Sequence, residues 1–420
     1  MKMLLSLTLA ALSLAADVSP AEAQSSQDQL VVPGIYRLDG MDPDLPNGDL
    51  APLRQILEGA QVVGLGETFH TSGGYYQMKH RVFRFLVEEM GFRAFGFENP
   101  WWHAERTGRY VATCQGTAAD AMRGLFGVWQ SQETVELLEW MCAWNQEHPN
   151  DPLTFFGFDI QQPEADGPLL IAFLRGQGLA EDDPRILGIR QCDSVETSVW
   201  PEPVPDSTHQ ACLQALDLVD QLLLELDPSE AVQTSRADVE WAKISALSLR
   251  AWEDEAYYEV RDPYRSYEAR DRGMATTFQR IRKLKAGSAR TAIWAHNSHI
   301  AKQSGLTMGL TTMGTYLDAD MGHQYANIAL TSAAPQINWR GLGCGPIFVQ
   351  PNSVERRLQT LGEDFLLVDL DFNGVQEPFL SDTPISIGYL WTLPRQQYDG
   401  LIYLHESPMM TPLRWPATCP

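Results

Sequence analysis

Four times along this chain a short apolar run stops abruptly on a carboxylate or an imidazole. VVGL at 62–65 breaks at Gly66 and delivers Glu67 and His70. The run at 92–98 ends on Glu98, LTFFGFD at 153–159 on Asp159, and RTAIWAH at 290–296 on His296, with His299 close behind. Each run has the length and composition of a buried strand. Between the first two, Tyr76, Val82, Phe83, Phe85, Leu86 and Met90 recur at helical spacing until Gly91 stops them. Strand, helix, strand in so short a span is a βαβ unit and predicts a parallel pair. Helical patterns at 101–113 and 132–147 continue the alternation. The expected fold is α/β, with a mainly parallel central sheet flanked by helices.

The remaining chain adds to that frame. Residues 25–50 are polar and are expected to run over the surface before a short helix near 53–58. Residues 178–208, with several prolines and Cys192, read as an irregular insertion. From 209 to about 285 the pattern is almost wholly helical, broken near Asp262-Pro263, which suggests an additional helical layer or lid over the sheet. Later strand candidates are 325–331, 365–369 and 401–405.

Residues 1–23 carry Lys2, an apolar stretch and the cleavage-like Ala21-Glu22-Ala23, the pattern of a signal peptide with Gln24 as mature terminus. The stretch is too short to span a bilayer, so residues 24–420 are expected as one exported α/β domain, periplasmic or secreted, without a membrane anchor. In such a compartment the six cysteines favour disulfides. Proximity pairs Cys192 with Cys212, Cys114 with Cys142 and Cys344 with Cys419. The formal charge is −23, from 31 Lys+Arg against 54 Asp+Glu, and no basic run appears, which argues against nucleic acid as a partner. The sequence leaves the oligomeric state open.

In a parallel sheet the ends of the strands reach one edge, where α/β proteins place their sites. A histidine oriented by a carboxylate is a general base suited to activating water near neutral pH. No G-x-S-x-G elbow occurs, so water attack is expected in place of an acyl-enzyme. Glu67, His70, Glu98, His296 and His299 also offer enough nitrogen and oxygen for zinc or manganese, but their spacing is not that of a zincin. Metal-free catalysis with no cofactor is the favoured expectation. His296 and His299 flank Asn297 and Ser298, so a hydrogen-bonded turn competes with a catalytic role, and Asp159 reads as structural. Lys79, His80 and Arg81 read as a solvated helix face; Trp101, Trp102 and Trp129 could line an apolar cleft or simply fill the core.

Several stretches in order resemble the erythromycin esterase family, which also carries a succinoglycan-biosynthesis label. They are GLGETFH at 64–70, QMKHR at 77–81, LVEEMGFRAFGFE at 86–98, LLEWMCAWN at 137–145, FFGFDIQ at 155–161, RDRGMATTF at 270–278 and IWAHNSHIAK at 293–302, with YDGLIYLHESPMMTPL near the end. One departure is Cys142, where the family frequently carries Arg. The resemblance implies hydrolysis of a small-molecule ester, in the best-known members the macrolactone of erythromycin-type antibiotics. It implies that His70 activates water, that Glu67, Glu98, His296 and His299 complete the catalytic set, and that Lys79 and Arg81 face the substrate. The alternative from another class is an exported scavenger that holds a haem- or metal-like ligand in the same histidine-lined cleft without turnover. A modifying enzyme for an exported polysaccharide is a third reading.

Overall fold

The computed structural model describes residues 30–192, 203–226, 235–303, 309–339, 343–372, 385–387 and 390–414. The segment expected to be a signal peptide, and Cys419, lie outside them.

Among the described residues the central sheet has ten strands: β1 (Leu30–Val32), β2 (Ile35–Arg37), β3 (Val62–Leu65), β4 (Phe92–Pro100), β5 (Thr154–Asp159), β6 (Arg290–Trp294), β7 (Tyr325–Trp339), β8 (Gly343–Pro346), β9 (Phe365–Asp369) and β10 (Gly400–Ser407). Their order is β1-β2-β9-β10-β7-β3-β6-β4-β5, with β8 paired to β7 beyond that path. The six strands from β10 to β5 run parallel; β9, β2 and β1 extend the sheet antiparallel. The α/β class with a mainly parallel sheet is therefore what the chain adopts. β3 and β4 are parallel, as the βαβ pattern predicts, but they are not neighbours, because β6 pairs with both.

Nine helices matter here: α1 (Gly73–Met90), α2 (Trp101–Thr113), α3 (Gln132–Glu147), α4 (Asp166–Gly176), α5 (Pro184–Cys192), α6 (Asp206–Glu225), α7 (Arg236–Tyr258), α8 (Pro263–Lys285) and α9 (Asn297–Ile300). One core joins α1, α2 and α3 to one face of the sheet through Phe83, Phe85, Leu138, Phe95 and Trp294. A second, with Met274, Phe278 and Ile281 of α8, covers Phe156, Phe158 and Ile293. A third belongs to the helical layer itself, where Ile186, Leu216, Val219 and Leu249 pack together. Asp262 caps α8 by accepting from the backbone N–H of Arg265, and Pro263 opens the helix, so the break near 262 is a cap followed by a helix start.

Three expectations need correction. Residues 184–192 are helical because Ile186, Ile189 and Cys192, spaced by three, all bury, and Cys192 is bonded to Cys212 of α6. Residues 30–37 join the sheet edge instead of running over the surface. β7 extends well past residue 331 because its second half pairs with β8. Cys114 and Cys142 are also bonded, joining α2 to α3. Cys344 is disulfide-bonded as well. No helix among the described residues is long and apolar enough to cross a membrane.

Candidate active site

β3 is buried at every position and ends at Gly66, where only glycine fits: a Cβ there would lie 2.0 Å from Asn297 Oδ1. That close approach fastens two turns together. Asn297 donates its backbone N–H to Glu67 O at 2.9 Å, and its side-chain amide donates to Thr68 Oγ1 and Leu330 O. Thr71, just after His70, sits at φ 66°, a left-handed conformation that a β-branched residue rarely adopts. The surroundings hold it there: Thr71 N–H donates to the buried Tyr76 hydroxyl at 2.9 Å, Asn338 N–H donates to Thr71 Oγ1, and Met410 N–H to Thr71 O. Tyr76 in turn donates to Val128 O at 2.8 Å, tying the His70 turn to the facing loop.

His70 Nδ1 lies 2.6 Å from Glu67 Oε1. A carboxylate only accepts, so Nδ1 carries a proton, and in the neutral ring the lone pair is then on Nε2. Glu67 is fully buried and receives a second bond from Lys79 Nζ, at 2.9 Å on Oε2. Lys79 also donates to Ala295 O and lies 4.4 Å over the Trp294 ring. Burial pulls the Lys79 ammonium down to about 8, against the opposing pull of Glu67. The edge of Trp129 meets the His70 ring, centroids 4.8 Å apart.

Across the cleft stands Glu98, at the end of β4. It accepts from His296 N–H at 2.8 Å and from Arg270 Nη2 at 3.0 Å. Burial would raise this carboxyl, but His299, His70, Arg270 and His296 together hold it down to about 2. Arg270 forks onto Asp159 with Nε and Nη2, at 3.2 and 2.7 Å. His299 donates Nδ1–H to Asp271, 3.0 Å from each oxygen, and its Nε2 is 3.4 Å from Glu98 Oε1. Burial opposes its protonation, yet Asp271 and Glu98 raise it above the ordinary histidine value. The cleft between these groups has a volume of about 500 Å³, with His70, Phe126, Val128 and Trp129 on one side and Gln161, Arg270 and His299 on the other. It opens at the carboxyl ends of β3, β6, β4 and β5, which are neighbours in that order.

The structure thus brings Glu67, His70, Glu98, His296 and His299 together, and it separates their parts. His296 caps α9: its Nδ1 accepts from Ser298 N–H and its Nε2–H donates to Thr68 O at 2.7 Å. Burial, with His70 and His299, drops it to about 3, so it stays neutral and braces the turn. Lys79 does not face substrate; it is buried behind Glu67. Arg81 is not at the cleft either, because residues two apart on a helix point in different directions. Its guanidinium is buried against Asp49, Gly40 O and Pro46 O. Lys79, His80 and Arg81 are all buried, so the solvated-face reading is corrected too. Among the described residues no group of three His, Cys, Asp or Glu is arranged to hold a metal ion.

Sequence reasoning missed Arg270, Asp271 and Tyr267. All three lie in α8, where Tyr267 donates to Ser298 Oγ at 2.9 Å. The available signal was the stripe Tyr267, Arg270/Asp271, Met274, Phe278, whose inward spacing mixes polar side chains with core residues.

A family model described as erythromycin esterase matches residues 87–407. YbfO of Bacillus subtilis, which carries a hydrolase name, is 25% identical over 439 residues, covering 96% of each chain. Erythromycin esterase type II from Escherichia coli is 24% identical over 314 residues, covering 69% of this chain and 73% of its own. Among solved structures, a Bacillus cereus protein superposes with a TM-score of 0.76 at 21% identity, covering 94% of this chain and 99% of its own. An erythromycin esterase mutant in its open conformation gives 0.66 at 17% identity, covering 89% and 97%. With the family model spanning most of the sequence, the chain belongs to the erythromycin esterase family.

Proposed function

We propose that this hydrolase is an exported carboxylic ester hydrolase that attacks its substrate with water activated by His70. The observation that carries the reading is the line Lys79–Glu67–His70, which fixes the lone pair of His70 on Nε2 beside the cleft. His70 takes a proton from water as the water oxygen bonds to the ester carbonyl carbon. The oxyanion of the tetrahedral intermediate is met by positive charge from Arg270 and His299. As the intermediate collapses, its carbon–oxygen bond to the alcohol breaks, and His299, protonated against Asp271, supplies the proton to the leaving oxygen. Acid and alcohol depart, and the proton held by His70 returns through solvent water to His299, restoring both groups. The pair echoes the general pattern in which two titratable groups with differently tuned environments divide base and acid roles.

The Cys114–Cys142 and Cys192–Cys212 disulfides suit an oxidising compartment and support export. A macrolide lactone is the substrate that the Escherichia coli relative's name suggests. The test is incubation of purified protein with macrolides and simple aryl esters, with and without a chelator, followed by mass spectrometry for the gain of one water. Turnover that persists in chelator supports the scheme; turnover lost on chelation overturns the metal-free form of it. Tight retention of the compounds with no mass change would instead favour the scavenger.

Lys79 sets an expected alkaline limit. Above its value of about 8 it loses its proton, Glu67 loses its charged partner, and kcat declines. Lys79→Arg, whose guanidinium stays protonated, should move that limb to higher pH. A kcat profile with the limb in the same place would detach Lys79 from the base.

A further inference from the structure

The end of β5 aims one more side chain at the cleft. Asp159 Oδ1 accepts from the backbone N–H groups of Ile160, at 2.7 Å, and Gln161, at 3.3 Å, and so turns the chain where the strand stops. Gln162 follows in a left-handed conformation, at φ 58°. The same Asp159 oxygen accepts from Arg270 Nε at 3.2 Å, which fastens the turn to the cation of the catalytic cleft. Gln161 lines that cleft together with Arg270 and His299. The mechanism above gives it no part.

The amide of Gln161 is held in one orientation. Its Nε2 donates to Glu255 Oε1 of α7 at 2.9 Å. A carboxylate only accepts, so the amide turns its NH2 end to Glu255 and keeps its oxygen away from it. Glu255 is itself braced, because Ser266 Oγ of α8 donates to its backbone carbonyl at 2.9 Å. Glu255 Oε2 is buried and has no hydrogen-bond partner among the described residues, so Gln161 is the group this carboxylate grips. Gln161 Oε1, at the other end of the amide, accepts from none of the described residues. A pre-oriented acceptor therefore stands at the wall of the cleft.

We infer that Gln161 reads a hydroxyl group on the leaving alcohol of the substrate, accepting its O–H on Oε1, and that Glu255 is the positioning residue behind it. The inference rests on the ester-hydrolase reading and narrows the substrate to esters whose alcohol carries a second hydroxyl. The alcohol side follows from the neighbours of Gln161, since Arg270 and His299 meet the oxyanion and the leaving oxygen. Glu255 adds a pH signature. Burial raises it to about 7, with Asp159 and Glu259 adding to the rise and Arg270 and the bond from Gln161 opposing it. Below that value the carboxyl is protonated, can donate as well as accept, and no longer dictates which end of the amide faces it.

The test compares 2-hydroxyethyl, 3-hydroxypropyl and 4-hydroxybutyl benzoate, each with the esters that carry methyl or methoxy in place of the hydroxyl. Each comparison is a ratio of kcat/KM values at one pH, so titration of the catalytic groups cancels. Wild type should prefer the hydroxyl over methyl and methoxy by about tenfold at the chain length that reaches Gln161. The preference should vanish in Gln161→Leu and shrink in Glu255→Gln, whose amide accommodates either orientation of Gln161. In wild type it should fall as pH drops through about 7. No hydroxyl preference at any length, a methoxy ester that keeps it, or a preference that survives Gln161→Leu overturns the part given to Gln161. A preference unmoved by both Glu255→Gln and pH overturns the part given to Glu255. If wild type hydrolyses none of the esters, calorimetric titration with the same compounds replaces turnover. A hydroxyl preference in binding that Gln161→Leu removes then upholds the subsite while the ester reading fails, and the lack of one overturns the subsite as well.

Discussion

His70→Ala is expected to lower the proposed ester hydrolysis by at least about a hundredfold and to leave the fold intact. The loss is expected to be large because His70 lines the cleft with its Nδ1 held on the Glu67 carboxylate. His296 cannot replace it, since both of its ring nitrogens are engaged and burial holds it near 3. His299 cannot either, because Asp271 and Glu98 favour its protonated form. The fold survives because the His70 side chain is 17% exposed, and Glu67 keeps its bond to Lys79 in the variant. The measurement is kcat/KM beside the unfolding curve of the same preparation. A variant that turns over like wild type removes His70 from the mechanism.

Arg270→Met should be the most damaging substitution to stability, costing about 3–5 kcal/mol. Arg270 is the shared cation of two buried carboxylates on adjacent strands, Glu98 and Asp159. Its removal leaves Glu98 with His296 N–H and His299, and Asp159 with the backbone N–H of Ile160 but no cation. Glu255, raised to about 7 chiefly by burial, also loses the guanidinium that opposes that rise. The sign with pH follows from Glu98, whose value falls from 4.5 to about 2 in the folded protein. The stability it contributes is complete above 4.5 and is lost as pH falls through about 2. The gap between wild type and variant is therefore widest near neutrality and narrows towards pH 2. Urea unfolding across that range measures it; a gap that stays constant with pH assigns the loss to packing.

The strands were legible because each is a short apolar run with a polar stop, a pattern that survives any arrangement of neighbours. That is why Glu67, His70, Glu98, His296 and His299 could be named before their positions were known. What each one does was not legible. His296 and His299 are three residues apart in one turn, yet one meets a carbonyl and the other a carboxylate, and only the packing of α8 against α9 decides which. Lys79 and Arg81 were misdirected for a similar reason, since helical spacing gives relative angles without saying which side meets the site. The place of β6 was hidden as well, because pairing order is a non-local choice that a βαβ pattern does not contain.

That placement has a consequence for how the enzyme comes into being. The strand carrying His296 and His299 is the shared neighbour of the two carrying His70 and Glu98, although it is translated long after both. A nascent chain that has emerged only through α7 therefore has no strand to join the edges that carry His70 and Glu98. Hydrolytic competence should appear late and all at once, and the non-local insertion of β6 should make it slow.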